Sequence, residues 1–102
     1  MTQRILNTSV GDRPVTVLMG WDQPLQYYFM VIEADDADDP LYCNLDDDAA
    51  GLEGKLVYFV GRAREMGITI PDTMLARLQT DGTLNLGNAT SYFDANGVER
   101  AG

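Results

Sequence analysis

The chain contains no histidine and a single cysteine, Cys43. Without histidine it lacks the commonest general base near neutral pH and a major metal ligand. With one cysteine no intramolecular disulfide can form, which fits a reducing compartment. Cys43 falls on the apolar phase of a short alternating stretch, so it reads as a small buried hydrophobe and not as a nucleophile. Bases are scarce, seven Lys and Arg against sixteen acids, for a net charge of −9. No basic stripe is available to track a phosphate backbone, which argues against direct nucleic-acid binding. Long apolar runs are missing as well. The longest, Tyr27 to Ile32, is six residues, against roughly 20 for a membrane-spanning helix. Gly51, Gly54 and Gly61 do not make the spacing of a phosphate-binding loop or a dinucleotide fingerprint. Ser9 and Ser91 have no candidate base near them in sequence. These absences leave little for catalysis, and no enzyme activity and no cofactor are expected.

At 102 residues and 45% hydrophobic content the chain suffices for one folded domain, 1–102, with its own core. Met1-Thr2-Gln3-Arg4 leads into a mixed stretch with no apolar signal region, so a cytoplasmic location is expected. Arg4–Ser9 reads as a first strand, Gly11-Asp12 as a tight hairpin turn, and Val15–Met19 as a second, β-branched strand. Leu25–Ile32 is apolar on both faces and reads as a central strand. Leu41-Tyr42-Cys43-Asn44-Leu45 alternates, which places Leu41, Cys43 and Leu45 inward. The period then changes. Leu52, Leu56, Phe59, Val60, Ala63 and Met66 share one helical face, with Gly67 at the C′ position. A seven-residue spacing sets Gly54 and Gly61 on a common helix face, which suggests close helix–sheet approach. Met74, Leu75 and Leu78 mark a second helix that ends at Asp81-Gly82. Thr90–Phe93 is a last strand, followed by an Asn96-Gly97 turn. The expected fold class is α+β: an antiparallel sheet of four to five strands in the order β-β-β-β-α-α-β, with two helices packed on one face.

The acids are not spread evenly. Residues 33–53 hold nine of them and no Lys or Arg, while the rest of the chain balances at seven of each sign. The stretch fails the EF-hand pattern: a loop starting at Asp46 has Ala50 and Val57 at positions that require oxygen ligands. Its two clusters flank the strand 41–45 at roughly 17 Å, which disfavours a single shared metal site. A looser divalent-cation site, a surface imitating nucleic-acid phosphates, and a docking surface for a basic protein remain as readings. Trp21, in the connection Gly20-Trp21-Asp22-Gln23-Pro24, either folds back to cap the core or stands out as an apolar anchor. Tyr28 and Tyr42 are placed on the sheet face opposite the helices, which if open would be an interaction surface or a homodimer seam.

Met19-Gly20-Trp21-Asp22, Pro24-Leu25-Gln26, Val31-Ile32-Glu33 and Tyr42-Cys43-Asn44-Leu45 resemble a group of short uncharacterised bacterial proteins. The likeness covers about the first half of the chain. It implies a bacterial cytosolic source, and it brings no activity and no catalytic residues.

The function expected from the sequence is a non-enzymatic accessory or regulatory module. Asp35, Asp36, Asp38, Asp39, Asp46, Asp47 and Asp48 would dock a basic partner, with Trp21 as anchor. Steering by clustered charge is the physical basis. A divalent-cation-binding domain and a nucleic-acid-mimicking inhibitor are the alternatives.

Overall fold

The computed structural model describes residues 1–53 and 55–102. Strand β1 (Thr2–Val10) turns through Gly11-Asp12 into β2 (Arg13–Asp22), with Val10 opposite Arg13. Gly11 takes φ +62°, the left-handed value that the first position of a two-residue hairpin loop demands. β3 (Tyr27–Ala34) pairs antiparallel with β2, and β4 (Tyr42–Cys43) pairs antiparallel with β3. These four strands form the expected meander.

Helices α1 (Asp48–Glu53), α2 (Leu56–Glu65) and α3 (Asp72–Thr83) follow a short 3-10 turn at Asn44–Asp46. α2 ends in a Schellman motif: Gly67, at φ +84°, donates to the Arg64 carbonyl at 2.9 Å and Ile68 donates to Ala63 at 3.0 Å. β5 (Ala89–Phe93) and β6 (Glu99–Ala101) complete one six-stranded sheet in the order β4-β3-β2-β1-β5-β6.

The α+β class and the helix-covered face hold, and several finer expectations do not. The sheet is mixed, because β5 runs parallel to β1, with Thr2 opposite Ala89 and Leu6 opposite Phe93. The chain leaves the β4 edge, crosses the sheet through its helices and arrives at the free edge of β1. With β2, β3 and β4 each antiparallel to its neighbour, β5 runs opposite to β4, and its parallel partner β1 is joined to it only through the whole meander and the helices. A sixth strand, β6, pairs with β5 beyond the Asn96-Gly97 turn. The single long helix after residue 47 is two helices, since Lys55 is extended at φ −103°, ψ 148° and starts α2. Asp81 does not end the second helix but lies buried within α3. A Cβ on Gly61 would meet nothing within 4 Å, so close helix–sheet approach does not explain that glycine. Gly54 and the side chain of Leu52 lie outside the described residues.

Alternation decides which side chains face the helices. Leu6 of β1, Val15, Val17 and Met19 of β2, and Met30, Ile32 and Ala34 of β3 enter one core cluster. Phe59, Ala63, Met74 and Leu78 of α2 and α3 and Phe93 of β5 join it. Fully burying a side chain of this size contributes roughly 1.5–3 kcal/mol. Two charges share that core. Arg4 donates to both carboxylate oxygens of Asp81, at 2.9 and 2.8 Å, and to Ser91 Oγ at 3.0 Å.

Candidate functional site

Strand β4 is where the sequence reading fails most sharply. Tyr42, not Leu41, Cys43 or Leu45, is the buried residue: it is 8% exposed, whereas Leu45 is 80% exposed. The strand ends at Cys43 and the chain coils into the 3-10 turn, so the alternation does not continue to Leu45. Tyr42 wins the inward position because both ends of its side chain are satisfied there. The ring joins the core cluster, and the hydroxyl donates to Asp47 Oδ2 at 2.7 Å.

Asp47 is accordingly a structural group. Its Oδ2 also accepts from the Tyr58 hydroxyl at 2.7 Å, and its Oδ1 accepts from the Ala49 amide at 3.2 Å, an N-cap contact at the start of α1. The Tyr42 and Tyr58 hydroxyls hold the Asp47 carboxyl below the usual carboxylate range. Burial, then the hydrogen bond to Asp47, pushes the Tyr42 phenol well above its ordinary value, and Tyr58 is raised by the same hydrogen bond. Arg62 lies over the Tyr42 ring at 5.5 Å, with Nε 3.6 Å from Asp47 Oδ2 and no hydrogen-bond partner for that nitrogen among the described residues.

Asp35, Asp36, Asp38, Asp39, Asp46 and Asp48 are exposed. Asp36, in the loop after β3, pairs with Arg13 at the start of β2 at 2.8 Å, both side chains open to solvent, an arrangement that stabilises little. Asp35, Asp38 and Asp39 share the β3–β4 loop with it, while Asp46 and Asp48 lie at the opposite end of β4. A hollow of about 280 Å³ brings Asp46, Asp47 and Asp48 together with Tyr42 and Arg62 and takes no wall from 35–39. Among the described residues no group of three or more His, Cys, Asp and Glu is arranged to hold a metal ion, and no helix is long and apolar enough to cross a membrane.

Trp21 stands apart from these acids. It lies in β2, is 9% exposed and packs edge-on against Tyr28 at 4.9 Å. Its indole N–H donates to Asn85 Oδ1 at 2.9 Å. The capping role is the one this geometry fits. As an exposed anchor Trp21 is corrected, because α3's C-terminal loop covers the ring and takes its only donor.

Tyr28 and Tyr42 do not lie on the open face. Tyr28 donates to the Leu78 carbonyl of α3 at 3.0 Å, and Tyr42 is held by Asp47 as described. The side chains opposite the helices are those of the other phase. Register places Arg100, Tyr92, Ile5, Leu18, Val31 and Cys43 in one row across all six strands. Phe29 lies beside this row, its ring over Gly20, where a Cβ would collide with the ring and with the Thr2 carbonyl. Ile5, Leu18 and Val31 are half-buried and outside the core cluster. No element among the described residues covers them. The phase split in β3, with Tyr27, Phe29 and Val31 on one side and Tyr28, Met30 and Ile32 on the other, was the signal for this surface. Which phase the helices take was not readable from it.

No protein-family model, curated protein or solved structure matches this chain.

Proposed function

We propose that this protein is a non-enzymatic interaction module that docks a basic protein partner on the open face of its sheet and on the acids at the β3–β4 end of that face. One observation carries the reading: the uncovered apolar row runs directly into carboxylates. Glu33, exposed, projects from the open face beside Thr16. Asp48 lines a hollow whose other walls include Tyr27 and Leu45, at the edge of the same face. A surface with an apolar centre and a charged rim is the usual anatomy of a protein interface. A net charge of −9 selects a cationic partner and speeds its approach.

The test is a titration with basic amphipathic Leu/Lys peptides and with acidic Leu/Glu counterparts, at low and at moderate salt. The basic peptides are expected to bind and the acidic ones not. Replacing Ile5 and Leu18 together by Ser removes the apolar row, and reversing Asp35, Asp36, Asp38 and Asp39 to Lys removes the steering charge. The first should weaken binding at all salt concentrations, and the second should flatten the salt dependence. Equal binding of basic and acidic peptides, or binding indifferent to both variants, overturns the proposal.

A further inference from the structure

Two hollows meet where the open face ends. The first, of about 280 Å³, is walled by Met1, Tyr27, Phe29, Val31, Cys43 and Leu45, with the Met1 ammonium donating to Asn88 Oδ1 at 3.1 Å. Its one carboxylate, Asp22, is 8% exposed and accepts from the Leu25 amide at 3.2 Å. The second is lined by Leu25, Ala50, Asp47 and Asp48. Tyr27, Asn44 and Leu45 belong to both, so they form a shared partition. Leu25 is 62% and Leu45 80% exposed, two large aliphatic side chains left in water at the rims.

Charge separates the two compartments. Asp47 is committed to Tyr42, Tyr58 and Ala49. Among the described residues Asp48 and its neighbour Asp46 make no ion pair. This chain's own cations do not neutralise them. Arg62, which shares a hollow with them, is engaged by Asp47 and Glu65, Lys55 and Arg64 make no ion pair among the described residues, and Arg100 stands at the far edge of the sheet. A second copy of the chain would bring another −9 to the same place, and repulsion disfavours it.

We infer that the two hollows read a short linear segment of a partner protein in which an aliphatic residue is followed two positions on by Lys or Arg. The aliphatic side chain enters the first hollow, and the cation reaches Asp48 in the second. The inference rests on the docking reading above and gives it a sequence. The first hollow lies below the ~300–1,000 Å³ typical of small-molecule sites, a size suited to a side chain. The spacing follows from the chain itself, since alternate residues of an extended segment point the same way and stand about 6.6 Å apart.

Cys43, the chain's only cysteine, lines the first hollow and reports occupancy directly. The probes are four capped peptides in a Gly/Ser frame, with Leu-Gly-Lys, Leu-Gly-Gln, Leu-Gly-Glu or Ser-Gly-Lys at the centre (the Leu-Lys, Leu-Gln, Leu-Glu and Ser-Lys peptides). Binding is followed by titration and by the rate of Cys43 alkylation. The Leu-Lys peptide should bind tightest and slow alkylation. Asp48→Asn should cost it about fivefold in affinity, the equivalent of ~1 kcal/mol for an exposed ion pair, and leave Leu-Gln unchanged. Leu45→Ser, at a position exposed enough not to disturb folding, should weaken the Leu-Lys and Leu-Gln peptides alike. Equal binding of Leu-Glu and Leu-Lys, or binding of Leu-Lys without protection of Cys43, overturns the assignment. If all four peptides fail while Leu/Lys amphipathic peptides still bind in an Ile5- and Leu18-dependent way, the two-hollow assignment falls and the docking reading stands. If neither set binds, both fall. Concentration-dependent dimerisation that protects Cys43 without peptide would identify a second copy as the occupant and also overturn the assignment.

Discussion

Arg4 and Asp81, 77 positions apart, meet in the core as a two-point ion pair, the guanidinium donating to both carboxylate oxygens at 2.9 and 2.8 Å. The pair fastens the last turn of α3 to β1, and Ser91 Oγ, accepting from Arg4 at 3.0 Å, adds β5. Asp81 is wholly buried and Arg4 nearly so. Removing one partner leaves a charge in the core with nothing to balance it. Asp81→Asn or Arg4→Ala should therefore cost about 3–5 kcal/mol, and the double change Arg4→Met with Asp81→Leu should recover most of it. Urea denaturation of the three variants checks this: a double variant no more stable than the singles would mean the pair is needed for more than charge balance.

Features that depend on a few neighbouring residues were legible in the sequence. Gly11-Asp12 closes a hairpin and Gly67 closes a helix because each supplies a left-handed backbone locally. The central strand β3, with apolar residues on both faces, was legible for the same reason. The rest was set at a distance. Arg4 looks like an ordinary strand residue until Asp81 is placed opposite it. β6 carries Glu99, Arg100 and Ala101, none of them a strong strand former, and exists because β5 offers an edge. Hydropathy chose Leu41, Cys43 and Leu45 over Tyr42, whereas the hydroxyl's bond to Asp47 decided the matter. Of the proposed binding residues the sequence marked the acids, but not that Asp47 is taken up in the fold, nor that Ile5, Leu18 and Val31 are left uncovered.

Asp47 gives an acid-range prediction. Its folded-state pKa is lowered, first by the Tyr42 hydroxyl and then by that of Tyr58. A depressed carboxyl stabilises the fold above its unfolded pKa of ~3.9, and the contribution is lost as the pH falls through the lower folded value. The difference in Tm between wild type and Asp47→Asn should be full at pH 6 and shrink steadily below about pH 4. Melting curves across that range decide it. A difference that stays constant with pH would show that Asp47 acts only as a neutral cap.

Gly61 predicts a gain. It sits inside α2, with open space where its Cβ would be. Alanine there lowers the entropy of the unfolded chain and meets no neighbour, so Gly61→Ala should stabilise by about 0.5–1 kcal/mol. A loss of stability in the same denaturation assay would mean that the helix needs the glycine for a contact this geometry does not contain.

Asn85 combines two demands that separate substitutions can pull apart. Its backbone is left-handed at φ 52°, which asparagine tolerates and most residues do not. Its Oδ1 accepts from the Trp21 indole at 2.9 Å and from Gln26 Nε2 at 2.7 Å. Asn85→Gly keeps the backbone and drops the acceptor, so it should cost about 1 kcal/mol, the worth of a part-buried hydrogen bond. Asn85→Ala drops both and should cost about 1–2 kcal/mol more, through strain at a positive φ. Asn85→Asp keeps both and should be the mildest of the three. The single tryptophan makes the acceptor visible: emission should shift in the Gly and Ala variants alike and stay near wild type in the Asp variant. Stability that falls equally in Gly and Ala would show that the backbone conformation adds nothing at position 85 and that the Oδ1 acceptor, shared by Trp21 and Gln26, accounts for the whole effect.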